Sequence, residues 1–183
     1  MELALKRLLK RMPPPSPPPR VPEDWSVLES ALGLEYPTTY KAFVDMYGCS
    51  CWFTNICPYY EPSGQIAHLA EFKKSMAEMM ARLDVAMYSF VPKRTEVRFP
   101  IYPNLGGLFP FMIDYSGSIY CWQTDRKNPE AWPVLCCFGG STVVVLEKMT
   151  IAKMFLDWLK QTPQMVDLWG DINELPKEQI KVE

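Results

Sequence analysis

Apolar residues follow a helical period in three stretches of the first half of the chain. The segment 25–32 begins after two acidic residues and ends at Gly33, which suits a left-handed helix cap. A second helix is predicted to start at residues 37–39 and to stop at Gly48. The longest helix is expected over residues 65–88, with its apolar positions on one face.

The second half of the chain consists of short apolar or alternating runs separated by Pro, Gly, Asn and Asp. These runs predict strands over residues 98–102, 108–113, 118–123, 134–138 and 142–147. An earlier run rich in aromatic and β-branched residues predicts a further strand over residues 51–57. The tightest link runs from Asp114 to Gly117, where glycine suits a positive φ and the aspartate can bond its own turn, so a hairpin is expected. A closing helix is predicted over residues 150–161.

These elements predict an α+β fold. We expect a mainly antiparallel sheet of about five or six strands, with N-terminal helices, one long helix and a C-terminal helix packed on it. The chain has 183 residues, 48% of them apolar and 22% charged, which is typical of one globular domain with a single core.

The first twenty residues differ in charge from the rest. They carry five basic side chains and one acidic one, a net charge of +4, while the remaining residues carry −6. Leucines alternate there with Lys and Arg in a pattern that suits a short amphipathic helix ordered on contact, or a frayed solubilising tail. The proline run 13–19 favours an extended spacer. We therefore predict a basic, Pro-rich arm over residues 1–20, attached to a single domain over residues 21–183.

Charge and hydropathy also restrict the partners and the compartment. A net charge of −2 argues against a dedicated nucleic-acid binder or a strongly cationic membrane protein. No apolar run approaches the ~20 residues that span a bilayer, and Lys and Arg interrupt the only stretch that resembles a secretion signal. We expect a cytoplasmic protein with neither a nucleic acid nor a membrane as its partner.

The chain shows little catalytic or metal-binding chemistry. Its six cysteines and single histidine, His68, lack the paired spacing of a zinc site, so we expect free thiols, no metal and no cofactor. No phosphate loop or nucleophile elbow is present. Asp125 and Glu130 are a conceivable acid and base pair, although a charged turn is usually only solvated. We do not expect an enzyme.

Two blocks of residues carry a family resemblance. The first block contains Trp25, Glu29, Gly33, Pro37, Tyr40 and Gly48, and the second contains Asp114, Gly117, Trp132 and Pro133. In their order and separation they resemble the two signatures of the SUKH superfamily, immunity-protein domains that also include a yeast cell-wall-synthesis regulator. The resemblance frames about residues 22–160. The long helix and the Pro-rich arm are not part of the family pattern.

The resemblance implies a non-enzymatic binder, usually an immunity protein that neutralises a cognate polymorphic or contact-delivered toxin, often a nuclease. The charge of −6 beyond the arm suits a basic partner. Candidate partner-binding residues lie in irregular connections: Tyr59, Tyr60, Glu61, Tyr115, Trp122 and Asp125. The tryptophans at motif positions, Trp25, Trp122 and Trp132, also suit the core.

The alternative is a regulatory or scaffold domain of the same superfamily. In that case the proline segment docks in the aromatic groove of another module. Removal of residues 1–20 would then abolish function and leave the fold intact, whereas an immunity protein would tolerate the truncation.

Overall fold

The structure is a computed structural model that describes residues 2–16, 24–48, 56–58, 69–90, 99–114, 116–124, 127–138 and 142–174. Within these ranges the α-helices are α1 (Leu3–Arg11), α2 (Trp25–Leu32), α3 (Thr38–Tyr47), α4 (Leu69–Phe90), α5 (Ile151–Leu159) and α6 (Pro163–Trp169). The strands are β1 (Ile56–Pro58), β2 (Leu108–Asp114), β3 (Ile119–Gln123), β4 (Val134–Phe138) and β5 (Thr142–Leu146). Short 3₁₀ turns cover Pro129–Ala131 and Ile172–Glu174.

The strands form one antiparallel sheet in the order β1-β2-β3-β4-β5, so every strand pairs with its neighbour in sequence. The prediction of an α+β fold with an antiparallel sheet is confirmed. The described residues give four strands of five or more residues and a short edge strand, β1, of three residues, so the predicted count of about five or six is reached only at its lower end and only with β1 included.

The predicted hairpin joins β2 and β3. Ile113 lies opposite Ile119, and Gly117 has a φ of 85°, which L side chains rarely adopt. The Asp114 carboxylate accepts the backbone N–H of Ser118 at 2.9 Å. Local turn chemistry therefore determines this connection, as the sequence predicts.

Helices α2 and α3 also begin and end where the pattern predicts. Asp24 caps α2 by accepting the backbone N–H of Ser26 at 2.8 Å, and Gly33 ends the helix with a φ of 67°. Helix α3 starts directly after Pro37 and ends at Gly48. None of the described helices is long and apolar enough to cross a membrane.

The strand predicted over residues 98–102 is wrong in the part that is described. Residues 99–107 form turns, with a single bridge between Ile101 and Leu108, because the prolines at 100 and 103 have no amide hydrogen to donate to a ladder. A Cβ at Gly107 would lie 2.5 Å from the backbone nitrogen of Tyr102, so the loop can close only on glycine. The Tyr102 hydroxyl then reaches the end of α2, 2.6 Å from the carbonyl oxygen of Gly33.

Both faces of the sheet are covered. The main core lies on the face that contacts α1, α2, α3, α5 and α6, and it includes Phe111, Tyr120 and Trp122. A smaller cluster on the other face joins Leu83 of α4 to Leu135. Alternate residues of β3 and β4 therefore belong to different cores, as the two-residue period of a strand requires.

The described part of the N-terminal segment, residues 2–16, packs against the domain. Leu5 and Leu8 of α1 are 0% exposed and belong to the main core, where α1 packs against α5. The Tyr47 hydroxyl also donates to the backbone carbonyl of Met12 at 2.7 Å, which holds the end of α1 against α3. The described part of this segment is therefore packed on the domain: Leu5, Leu8 and Met12, three and four positions apart, form the buried side of α1 and its C-cap. The predicted boundary at residue 20 itself lies outside the described residues.

Helix α6 is an element that the sequence analysis did not predict. Its seven residues are too short for a clear period, yet Trp169 at its end packs 5.5 Å from Trp158 and 5.1 Å from Phe155 of α5. The Trp169 indole N–H donates to the Tyr120 hydroxyl at 2.7 Å. One tryptophan thus anchors this helix to the sheet.

The docking of α1 can be tested with two identical substitutions on the same helix. Leu8→Ala should lower the free energy of unfolding by about 2–5 kcal/mol, because it leaves a cavity in the main core. Leu3→Ala is the matched control: Leu3 is 62% exposed, so its loss should cost less than about 0.5 kcal/mol. Urea unfolding measures both values, and equal effects would mean that α1 does not pack on the core.

Candidate functional site

The two motif blocks meet in an aromatic cluster, which we define as Trp25, Tyr36, Tyr40, Phe111, Trp122 and Trp132. Tyr40 of α3 packs edge-on against Trp122 of β3, with ring centroids 4.9 Å apart. Phe111 of β2 stacks on Trp122 at 4.1 Å and also contacts Tyr40 edge-on at 5.8 Å. Trp25 of α2 reaches the cluster through Tyr36 at 5.3 Å. Residues about 90 positions apart in sequence are thereby joined in one packing unit.

Trp122 lies inside this cluster and is 5% exposed. Its prediction as a partner-binding anchor is therefore corrected: it is a core residue, as its motif position also suggested. Trp132 and Pro133 are buried as well, beside the start of β4. Trp25 is only half-buried, and its indole N–H donates to the Asp45 carboxylate at 3.0 Å.

Glu29 connects α2 to the loop before α3. One of its carboxylate oxygens accepts the backbone N–H of Tyr36 at 3.0 Å and the ammonium group of Lys41 at 2.7 Å. Both side chains of this ion pair are about 20% exposed, so solvent screens it less than a surface pair. This motif glutamate therefore positions the α2–α3 pair.

Glu130 caps the start of α3 from the turn before β4. Its carboxylate accepts the hydroxyls of Thr38 at 2.6 Å and of Thr39 at 2.8 Å, and the backbone N–H of Thr39 at 3.2 Å. Burial acts to raise the pKa of Glu130, but these hydrogen bonds outweigh it and hold the pKa below its ordinary value. A residue that the sequence offered as a possible acid or base is thus a structural cap.

A small cavity lies beside this cap, between the starts of α3 and α5. Its volume is about 20 Å³. That volume suits about one water molecule and is far below the roughly 300 Å³ of a small-molecule site. Tyr40 and Trp132 line its apolar side, while Thr39, Glu130 and Thr150 form its polar rim. This cavity is a packing gap and not a substrate pocket.

A second polar network holds the β2–β3 hairpin against α6. The Tyr120 hydroxyl donates to the Asp114 carboxylate at 3.0 Å and accepts the indole N–H of Trp169 at 2.7 Å. Burial raises the pKa of Tyr120 well above its ordinary value and that of Cys136 to about 12.

Cys121, Cys136 and Cys137 are free thiols, and no group of potential metal ligands occurs in the described part of the chain.

Three exposed carboxylates of the α2–α3 segment make up what we call the acidic surface: Asp24 just before α2, Glu35 in the loop between the helices, and Asp45 on α3. Trp25 follows Asp24 in sequence and donates to Asp45, which brings the segments that carry these two carboxylates together. Glu35 is the neighbour in sequence of Tyr36, the ring on which Trp25 packs. Hydrogen bonds from the hydroxyl and the backbone N–H of Ser26 lower the pKa of Asp24, which therefore keeps its charge in mild acid.

Five predicted partner-binding residues lie outside the described residues: Tyr59, Tyr60, Glu61, Tyr115 and Asp125. Sequence reasoning did not single out the acidic surface, because its carboxylates are about ten residues apart in the chain. The helical period alone does place Asp45 opposite the buried Phe43 and Tyr47 of α3. No comparable signal groups Asp45 with Asp24 and Glu35.

We compared the chain with known proteins at three levels. No family model, curated protein or solved structure gives a significant match. The acidic surface, the aromatic cluster and the cap at Glu130 are therefore interpreted from their own chemistry.

The cap at Glu130 makes a pH-dependent prediction. Glu130→Gln should lower the free energy of unfolding by about 0.5–2 kcal/mol at neutral pH, as the loss of a helix cap does. Because the folded-state pKa is depressed, this stabilisation is present above the unfolded value of 4.5 and is lost as the pH falls through the folded value. Urea unfolding near neutral pH and in acid measures the change.

The control is Glu147→Gln, at another exposed glutamate, in the turn after β5. It should change stability by less than about 0.5 kcal/mol at either pH. A deficit in Glu130→Gln that is the same in acid as at neutral pH would show that the carboxylate charge does not cap α3.

Proposed function

We propose that this protein is a SUKH-type immunity protein that binds a basic protein toxin and neutralises it by direct contact. The observation that carries the proposal is the acidic surface, three exposed carboxylates of the α2–α3 segment, one of which accepts the indole N–H of the half-buried Trp25. Binding, not catalysis, is the proposed mode of action, and the cytoplasm is the proposed compartment.

The aromatic cluster supports the scaffold part of this proposal. The residues that carry the SUKH resemblance form two blocks in sequence, and they pack on each other through Tyr40 and Trp122. Each block also contains a motif glycine, Gly33 or Gly117, at a turn where the backbone has a positive φ, a conformation that glycine adopts readily. Motif residues with structural roles in both blocks are what a common scaffold requires. The choice of partner then depends on surface residues that vary between members of such a family.

The electrostatics of the acidic surface suit a cationic partner. A nuclease needs basic residues to hold the phosphates of its substrate, and a carboxylate-rich face is complementary to such a surface. Complementary charge accelerates association and excludes partners of the same sign. Trp25 supplies the large, partly desolvated ring that is typical of an interface hot spot.

Charge reversal on the acidic surface tests this proposal. Glu35→Lys combined with Asp45→Lys should weaken binding to the toxin domain encoded by the neighbouring gene on the order of 10- to 100-fold, mainly through a slower association rate. Binding kinetics at low and high salt, and growth rescue on co-expression with the toxin domain, provide the measurements.

The matched control is Glu78→Lys combined with Glu147→Lys, which changes net charge by the same amount at exposed positions of α4 and of the turn after β5. It should retain binding and rescue. If the native chain neither co-purifies with the toxin domain nor rescues growth, the proposal fails and the regulatory or scaffold alternative gains. Equal losses in both double variants would exclude the acidic surface as the binding face.

A further inference from the structure

Helix α1 is buried on one side and strongly cationic on the other. Its inner side contributes Leu5 and Leu8 to the main core. All of its basic side chains are exposed, and we call them the cationic face: Lys6, Arg7, Lys10 and Arg11. Because α1 packs against α5, the helix backbone that carries these cations is held on the domain and is not part of a frayed tail.

An exposed leucine lies on the same side of α1 as the cationic face. Leu3 is 62% exposed, which makes it one of the few large apolar side chains at the surface of the described residues. It precedes Lys6 by three residues and Arg7 by four, so it shares their side of the helix. At roughly 100° per residue, Leu3 lies within the arc that the four cations span. One apolar side chain is thus framed by positive charge.

Glu2, the acidic residue that precedes α1 in sequence, does not form an ion pair with the cationic face. Glu2 is turned toward the protein, where its carboxylate accepts the Thr150 hydroxyl at 2.7 Å. Within the described ranges, ion pairs engage Lys41, Lys153 and Lys160, and none engages a residue of the cationic face. The positive charge of α1 therefore points away from the protein without an intramolecular partner of that kind.

We infer that the cationic face of α1 binds the surface of an anionic phospholipid bilayer, with Leu3 entering the headgroup region. Lysine and arginine pair with lipid phosphates and carboxylates, and an adjacent exposed apolar side chain adds burial at the interface. A nucleic acid would use the same cations but would gain little from Leu3. A lipid surface therefore accounts for both properties of the helix.

This inference is independent of the proposed toxin binding, which uses other elements. It also departs from the expectation, drawn from composition, that no membrane is a partner. Net charge averages over the whole chain, whereas attraction to a surface acts within a Debye length of about 10 Å at 0.1 M salt. The chain has a net charge of −2, but helix α1 places four exposed cations on one face.

The expected binding is reversible and sensitive to salt. Each basic residue close to an anionic membrane strengthens partitioning by about fivefold. Replacement of all four by glutamine should therefore reduce partitioning on the order of 100-fold, since not every cation reaches the surface at once. Raising salt from about 0.1 M to about 1 M shortens the Debye length to about 3 Å and should release the protein.

The experiment is cosedimentation of the full chain with vesicles of phosphatidylcholine, with and without phosphatidylserine. The test variant is Lys6→Gln, Arg7→Gln, Lys10→Gln and Arg11→Gln together. The matched control replaces four exposed lysines elsewhere with glutamine: Lys73, Lys74, Lys127 and Lys148. The native chain and the control should bind only the phosphatidylserine vesicles, and the test variant should not bind. Circular dichroism and urea unfolding confirm that both variants fold.

Leu3→Ser separates a membrane from a nucleic acid. It should weaken vesicle binding several-fold and leave any affinity for a short DNA duplex unchanged, because only a bilayer buries the leucine. Absence of binding to phosphatidylserine vesicles at low salt would overturn the inference. Equal losses in the test and control variants, or duplex binding without vesicle binding, would overturn it as well.

Discussion

The mutual packing of Trp122, Phe111 and Tyr40 is the contact on which the rest of the structure depends. It holds the α2–α3 pair against the centre of the sheet, and edge-to-face and stacked rings of this kind contribute beyond their buried area. This packing fixes the positions of α2 and α3, and Trp25 lies at the outer edge of the pair. The buried Trp122 therefore also determines where the carboxylates of the acidic surface lie.

Acidic side chains in this protein divide into two groups. Glu29, Asp114 and Glu130 accept backbone and side-chain hydrogen bonds that hold loops, a hairpin and a helix start in place. Asp45 on α3 and Glu35 in the loop between α2 and α3 are exposed, and within the described residues Asp45 accepts only the Trp25 indole N–H. Both groups look alike in the sequence, and only the number of donors around each carboxylate separates a structural acid from one available to a partner.

Predictions succeeded where the determinants are local. Helices α2 and α3 and the β2–β3 hairpin end at glycines whose positive φ values are required by the turn itself. The strand predicted over residues 98–102 was wrong because the apolar residues there belong to a loop whose prolines have no amide hydrogen to donate to a strand partner. Helix α6 was not predicted because its anchor, Trp169, acts through contacts with other elements. Trp122 was assigned to both core and interface, since aromatic side chains serve in either.

The sequence by itself determined the α+β class, the antiparallel pairing of the sheet and the separation of charge between the N-terminus and the rest of the chain. Only the tertiary structure decided that α1 belongs to the core, that Glu130 caps a helix from 92 residues away, and that the Asp45 carboxylate lies beside Trp25 of α2. Periodicity and turn chemistry act over a few residues, whereas burial and hydrogen-bond partners depend on which distant elements meet.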